Sequence, residues 1–162
     1  MSLGHLSFTI DGVSWWLLLL VVFAAPLVDS IVPLLPGEVV VAAATSVADV
    51  PLPVAAVVVV AAAGSVVGEC VVLTTARRLA GTRRGDRLLG GPKAARVRRV
   101  IDRWGVGAVI VARFLPGGRT AAAAGFAMRR DPVTSFVAAA AVGSLIWAGY
   151  LVVIGSTVAA AI

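Results

Sequence analysis

Three long stretches of this sequence contain no charged residue, and they restrict the fold more than any other feature. They cover residues 12–28, 50–68 and 132–162, which are 17, 19 and 31 residues long. At about 1.5 Å per helical residue, the second stretch alone reaches roughly 28 Å, close to the roughly 30 Å hydrocarbon core of a bilayer. Across the chain 60% of residues are hydrophobic and 14% are charged, against about 25% charged in soluble domains. We therefore expect an all-α integral membrane protein, not a water-soluble enzyme.

The positive charge occupies one part of the chain. All 14 Lys and Arg residues lie between Arg77 and Arg130, and ten of them fall within residues 77–103. The positive-inside rule places that segment in the cytoplasm and predicts a multi-pass protein of the cell membrane. Because long uncharged apolar stretches flank this segment, we attribute its positive charge to membrane topology, and we expect no nucleic-acid partner. With one cysteine and one histidine, no disulfide, metal site or cofactor is expected.

Residues 92–104 of the basic loop predict an amphipathic helix. Pro92 suits a first helical position, and apolar residues then recur at helical spacing, namely Val97, Val100, Ile101 and Trp104. Arginines and one aspartate occupy the opposite face. We expect this helix to lie on the inner leaflet, held by apolar burial and anionic lipid. The alternative is a solvated charged helix that packs on other protein.

Two further segments are apolar but carry helix-breaking residues. Residues 29–48 and 105–130 each contain Leu-Pro-Gly, at 35–37 and at 115–117. Proline and glycine interrupt helices, and irregular backbone at membrane depth needs protein or water around it. We therefore predict two re-entrant hairpins. The second span is expected to cover 50–76 and the third 132–162, so the hairpins enter from opposite faces, as in the inverted repeats of transporters.

The two predicted hairpins carry opposite charges. Asp29 and Glu38 belong to the first, and Arg113 and Arg119 belong to the second. Each ionisable group in a membrane segment costs at least about 2.5 kcal/mol on insertion scales and marks a pathway or an ion pair. A helix N-terminus favours the carboxylate of Glu38 but disfavours a cation at Arg119. Arg119 therefore requires an anionic partner, either a carboxylate or a bound phosphate.

Glu69 lies inside the second predicted span. An intramembrane carboxylate is a candidate proton carrier. The alternative is that Glu69 reaches the cytoplasmic interface with its carboxylate. The neighbouring Cys70 is interpreted as a small apolar filler.

Three motifs in these segments are characteristic of one family. They are Asp29…Pro33…Pro36-Gly37-Glu38, then Gly68-Glu69 followed by Arg77, and Arg113-Phe-x-Pro-x-x-Arg119 followed by Ala124-Gly125, Met128, Phe136, Gly143 and Trp147. Over residues 29–155 the sequence resembles the DedA family, whose members carry the VTT or SNARE-associated domain. The resemblance implies an inner-membrane protein with two opposed re-entrant hairpins. Members of the family are associated with moving polyprenyl phosphate or phospholipids across the bilayer, and with fitness that depends on the proton-motive force.

The resemblance also implies roles for single residues. The essential acidic positions of the family map to Asp29 and Glu38, and its essential arginines map to Arg113 and Arg119. The sequence departs from the family pattern around Glu69, which stands in place of Asp, while Leu73 replaces Tyr and Ala76 replaces Gly. The chain is also shorter than is usual in the family, which predicts a minimal version of the fold or a homo-oligomer.

Together these observations predict a lipid transporter. Its phosphate site would consist of Arg113 and Arg119 with the amides of Gly117 and Gly118, because cations and backbone donors suit a tetrahedral anion. Asp29, Glu38 and Glu69 would form ion pairs or carry protons. The alternatives are a non-transporting membrane scaffold or assembly factor, whose charges only fix packing, and a proton-coupled transporter of small anions. No nucleophile–base arrangement is visible, so an enzyme is not expected.

Overall fold

The computed structural model describes residues 15–32, 37–46, 53–89, 92–115, 118–129 and 131–161. These residues form helices and no strand, which confirms the all-α prediction. The helices are α1 (Trp15–Ile31), α2 (Gly37–Ser46), α3 (Val54–Leu79), α4 (Arg83–Leu89), α5 (Pro92–Trp104), α6 (Gly107–Ala112), α7 (Gly118–Arg129) and α8 (Val133–Ala161). Of the described helices, α3 and α8 are long and apolar enough to cross a membrane, over Val54–Leu79 and Val133–Ile154.

Helix α1 packs against α3 with the two backbones in contact. A Cβ atom on Gly64 would collide with the carbonyl oxygen of Phe23, and one on Gly68 would lie 2.5 Å from the carbonyl oxygen of Leu27. Small residues four apart permit such close packing between membrane helices. Because both helices advance by four residues between the two contacts, α1 and α3 run parallel.

Helix α8 runs antiparallel to both α3 and α7. One core contains Val57 from the start of α3 and Leu151 from the far part of α8. The other core contains Leu73 from the end of α3 and Phe136 from the start of α8. In that second core Phe136 also packs on Phe126 of α7, with ring centroids 5.6 Å apart. The chain direction therefore reverses between the two long helices.

The first helix differs from the predicted division of the chain. The prediction ends a span at 28 and starts a hairpin at 29, whereas α1 continues to Ile31 and contains Asp29. In the prediction, a span over 12–28 leads to a hairpin on the outer face, so that span would run antiparallel to α3. The contacts at Gly64 and Gly68 show that α1 runs parallel to α3 instead. The reason is local: Pro26 is accommodated within α1, and no other helix breaker occurs before Pro33.

Helix α5 covers the residues that the sequence predicts, but its apolar face is divided. Ile101 is buried and Val97 is half-buried against α7, whereas Val100 and Trp104 are exposed. Gly125 of α7 makes this packing possible, since a Cβ atom there would lie 3.0 Å from Cγ1 of Val97 and still closer to Ile101. One part of the face thus packs on protein, and the other part remains available to a membrane surface.

Candidate functional site

The apolar interior contains a group of polar side chains. Among the described residues, the buried polar side chains are Asp29, Ser30, Ser65, Glu69, Arg113 and Ser144. Ser144 donates a hydrogen bond to the carbonyl of Ala140 in its own helix. The other five contact one another or Arg119. Burial of charged groups is costly unless they are paired and hydrogen-bonded, so these contacts determine what the site can do.

Arg113, which directly follows α6, forms an ion pair with Glu69 of α3. Their side chains are 1% and 3% exposed. Nη1 of Arg113 donates to the hydroxyl of Ser65 at 3.2 Å, and that hydroxyl donates to Oε1 of Glu69 at 3.4 Å. Gly143 of α8 leaves room for the guanidinium, because a Cβ atom there would lie 3.3 Å from Nε of Arg113. The burial of Glu69 contradicts the alternative that its carboxylate reaches the interface.

Arg119, the second residue of α7, forms an ion pair with Asp29 in the last turn of α1. The side chains are 14% and 7% exposed. A cation at a helix N-terminus is unfavourable, and the carboxylate of Asp29 offsets that cost. The pair joins residues that are 90 positions apart in the sequence, and it brings the end of α1 next to the start of α7.

One edge of the Arg119 guanidinium has no hydrogen-bond partner. In the described part of the chain, Nη1 of Arg119 is buried and makes no hydrogen bond. Cζ of Arg119 lies over the ring of Trp147 in α8, 5.5 Å from the ring centroid. A buried N–H group without an acceptor costs about 1–3 kcal/mol, and more where the group is charged. Arg119 is therefore a cation with unused capacity to bind an anion.

Two serines lie between the two ion pairs, and the hydroxyl of Ser30 donates its hydrogen to the carbonyl of Pro26 at 2.7 Å. The hydroxyl of Thr120 lies 3.4 Å from the carbonyl oxygen of Ser30 and donates to it. The hydroxyl of Ser30 lies 3.5 Å from that of Ser65, which contacts Arg113. Sequence reasoning missed both serines. The available signals were the position of Ser30 beside Asp29 and of Ser65 inside the Gly64-x-x-x-Gly68 spacing.

The remaining predicted site residues are Glu38, Gly117 and Gly118. Glu38 is the second residue of α2, but its side chain lies outside the described residues, as does Gly117. The amide of Gly118 donates to the carbonyl of Leu115 at 2.9 Å. The predicted use of that amide for phosphate therefore does not fit this conformation. Within the described residues, no three His, Cys, Asp or Glu side chains come together.

Comparison with known proteins gives one match. The family model of the VTT domain matches residues 13–157, which include both ion pairs, the two serines between them and Trp147. No curated protein and no solved structure matches the chain significantly. The match thus covers most of the chain and every contact described above.

Proposed function

The chain belongs to the VTT-domain family, the family also called DedA, and from this membership and its buried charges we propose that it is a membrane transporter of phosphate-headed lipid. The family is membrane-associated, and α3 and α8 are long and apolar enough to cross a bilayer. Polyprenyl phosphate and phospholipid share the phosphate that the site would recognise. The lipid is moved without chemical change, so no enzymatic activity is proposed.

The observation that carries this proposal is the unpartnered N–H edge of Arg119. Its Nη2 binds one carboxylate oxygen of Asp29, while Nη1 is buried with no acceptor among the residues that the structure describes. A phosphate offers several oxygen atoms and binds the guanidinium through two parallel hydrogen bonds. A phosphate would therefore satisfy Arg119 better than Asp29 does. Arg113 is already satisfied by Glu69 and Ser65, so the phosphate binds first at Arg119.

Protons are the second partner in this proposal. When phosphate displaces Asp29 from Arg119, the carboxylate loses its counterion in an apolar environment. An intramembrane carboxylate released from its ion pair is a candidate proton carrier, and we propose that Asp29 exchanges a proton as the substrate binds and leaves. Glu38 and Glu69 remain further candidates for this exchange.

The chain directions support an alternating mechanism. Because α3 and α8 run antiparallel, the segments that precede them, α1–α2 and α6–α7, would enter the membrane from opposite faces. Asp29 of α1 and Arg119 of α7 meet in an ion pair. We propose that α1–α2 and α6–α7 are the two re-entrant hairpins of an inverted repeat, with a central site at their contact. The basic segment 77–103 then faces the cytoplasm of a multi-pass cell-membrane protein.

The test is lipid movement by the purified protein in phosphatidylcholine vesicles that contain labelled polyprenyl phosphate or labelled phospholipid. We expect Arg119→Gln to abolish movement of the lipid that the wild type transports. Arg129→Gln is the matched control, since Arg129 forms surface ion pairs with Asp102 and Asp131 and its loss is expected to have no effect. A wild type that moves neither lipid, or an Arg119→Gln variant with full activity, would refute the proposal.

A membrane scaffold is the second candidate, and one observation favours it. The Arg113–Glu69 pair, with Ser65, is complete without any ligand, as expected for charges that only fix helix packing. A proton-coupled transporter of small anions shares the Arg119 site. Uptake of labelled inorganic phosphate into the same vesicles distinguishes it from a lipid transporter. A homo-oligomer stays a prediction.

A further inference from the structure

An apolar groove lies beside the Asp29–Arg119 pair, where α1 ends before α3 does. Helix α1 stops at Ile31, and its last turn contacts α3 at Gly68, whereas α3 continues to Leu79. The uncovered part of α3 and the start of α7 enclose a cavity of about 260 Å³. We call this cavity the lateral groove. Its walls include Ile31, Val71, Val72, Ala76, Thr120 and Ala124.

The lateral groove is suited to hydrocarbon. Among the described residues that line it, hydroxyl groups come from Thr75 and Thr120 alone, and the hydroxyl of Thr120 already donates to the carbonyl of Ser30. Ile31 and Val71 are 40% and 42% exposed, so the groove opens sideways on the surface of the protein. Its volume is below the roughly 300–1,000 Å³ of sites that enclose compact small molecules. It fits a section of an extended chain.

The lateral groove begins next to Arg119, whose Nη1 makes no hydrogen bond within the described residues. Thr120, one of its walls, directly follows Arg119, and Ile31 is two residues beyond Asp29. A single ligand that fits both features has an anionic head for Arg119 and a hydrocarbon chain for the groove. We propose that the lateral groove binds the hydrocarbon chain of the lipid whose phosphate binds Arg119. This inference rests on the proposed function and adds a second contact to the same substrate.

Photo-crosslinking in a bilayer tests the inference. The probe is a long-chain alkyl phosphate with a diazirine in its chain, present at low concentration in phosphatidylcholine vesicles that contain the full-length protein. The matched probe is the alcohol of the same chain, which lacks the phosphate. We expect the phosphate probe to label peptides with residues 71–79 and 120–124 roughly tenfold more than the alcohol does, because anchoring at Arg119 raises local concentration. Arg119→Gln should remove this difference.

Filling the groove supplies the second measurement. Ala124→Leu keeps a good helix former and places a larger side chain in the cavity. Because Leu occupies the space that the chain would enter, and a bilayer supplies no hydrophobic driving force that could offset this loss of contacts, labelling by the phosphate probe should fall severalfold. Ala63→Leu, at an exposed alanine of α3 outside the groove, should leave labelling unchanged. Thr75→Leu, from the opposite wall, replaces Ala124→Leu if that variant does not fold.

The outcomes separate this inference from the proposed function. Equal labelling by phosphate and alcohol probes, or strong labelling that survives both filling variants, shows that the groove takes bulk lipid only and overturns the inference. If lipid movement in vesicles still depends on Arg119, the proposed function survives that result. Groove labelling that vanishes as protein is diluted in the bilayer would show that a second copy of the chain forms the site, which also overturns the inference.

Discussion

The guanidinium of Arg119 lies over the ring of Trp147, 5.5 Å from its centroid, while it also pairs with Asp29. Trp147 is 3% exposed, so this cation–π contact is shielded from solvent. Cation–π contacts contribute most when they are shielded in this way. This contact is made beside the N–H groups that bind anions: Nη2 donates to Asp29, and Nη1 makes no hydrogen bond within the described residues. Trp147 can therefore hold Arg119 in position when the carboxylate of Asp29 is replaced by another anion.

Removing the aromatic face should impair transport. We expect Trp147→Leu to reduce the rate of lipid movement in vesicles about tenfold, since a shielded cation–π contact contributes about 1–2 kcal/mol. Trp147→Phe should retain more activity, because it keeps a ring with a negative face. Trp104→Leu, at a tryptophan that is 60% exposed, is the matched control. Equal losses in Trp147→Phe and Trp147→Leu would indicate a packing effect without a cation–π contribution.

Breaking the Arg113–Glu69 pair should destabilise the protein. Glu69→Gln leaves a buried guanidinium without a counterion, so we expect the free energy of unfolding to fall by about 3–5 kcal/mol. Asp102→Asn, which removes the 62% exposed partner of Arg129, should cost at most about 1 kcal/mol. Thermal unfolding in detergent measures both. If Glu69→Gln were as mild as Asp102→Asn, the buried ion pair would not contribute as the geometry indicates.

Exchanging the charges of the other pair distinguishes transporter from scaffold. In the double variant Asp29→Arg with Arg119→Asp, an ion pair can form again with reversed polarity, so we expect thermal stability to recover relative to either single variant. Lipid movement should not recover, because the cation no longer occupies the start of α7 under Trp147. If both thermal stability and lipid movement recovered, the charges would serve only to fix helix packing, which would support the scaffold.

Adding a methyl group at the α1–α3 contact should separate the two helices. The Cβ atom in Gly64→Ala would overlap the backbone of Phe23, and overpacking of this kind costs about 1–3 kcal/mol. Gly149→Ala places its methyl group in open space and should be neutral or raise stability, since alanine is the better helix former. Thermal unfolding in detergent again provides the comparison. A neutral Gly64→Ala would contradict the close packing of the two backbones.

Labelling at the two ends of α3 tests its orientation in the membrane. In a Cys70→Ala background, Val54→Cys should react with a membrane-impermeant maleimide on intact cells. Arg84→Cys, in the basic segment, should react only after permeabilisation, as the positive-inside rule requires. Both side chains are exposed in the structure. The reverse pattern would invert the proposed topology, and labelling of both from one side would contradict a membrane-spanning α3.

Much of this architecture follows from local sequence properties. The long uncharged stretches contain α3 and α8, and the helical spacing of apolar residues predicts α5 over the residues observed. Electrostatics at a helix N-terminus also indicated that Arg119 needs an anion. These features depend on residues that are close in sequence, so they can be deduced without tertiary structure.

The partners of the charges could not be deduced in that way. Arg119 forms an ion pair with Asp29, 90 residues away in the sequence, and Arg113 forms one with Glu69, 44 residues away. Three carboxylates, Asp29, Glu38 and Glu69, and the two arginines allow several pairings, and only helix packing selects among them. The glycines that set this packing, Gly64 and Gly143 among them, carry no side chain whose chemistry indicates a partner. The same limit explains why Ser30 and Ser65 were missed.

The backbone contact between α1 and α3 has a mechanical consequence. With the carbonyls of Phe23 and Leu27 seated on Gly64 and Gly68, rotation of α1 about its axis would drive side chains into the α3 backbone. Helices α1 and α3 are therefore expected to move as one rigid unit. This unit includes both Asp29 and Glu69. A helix motion that widens the site would consequently displace α7, with Trp147 of α8 beside it, relative to both buried carboxylates.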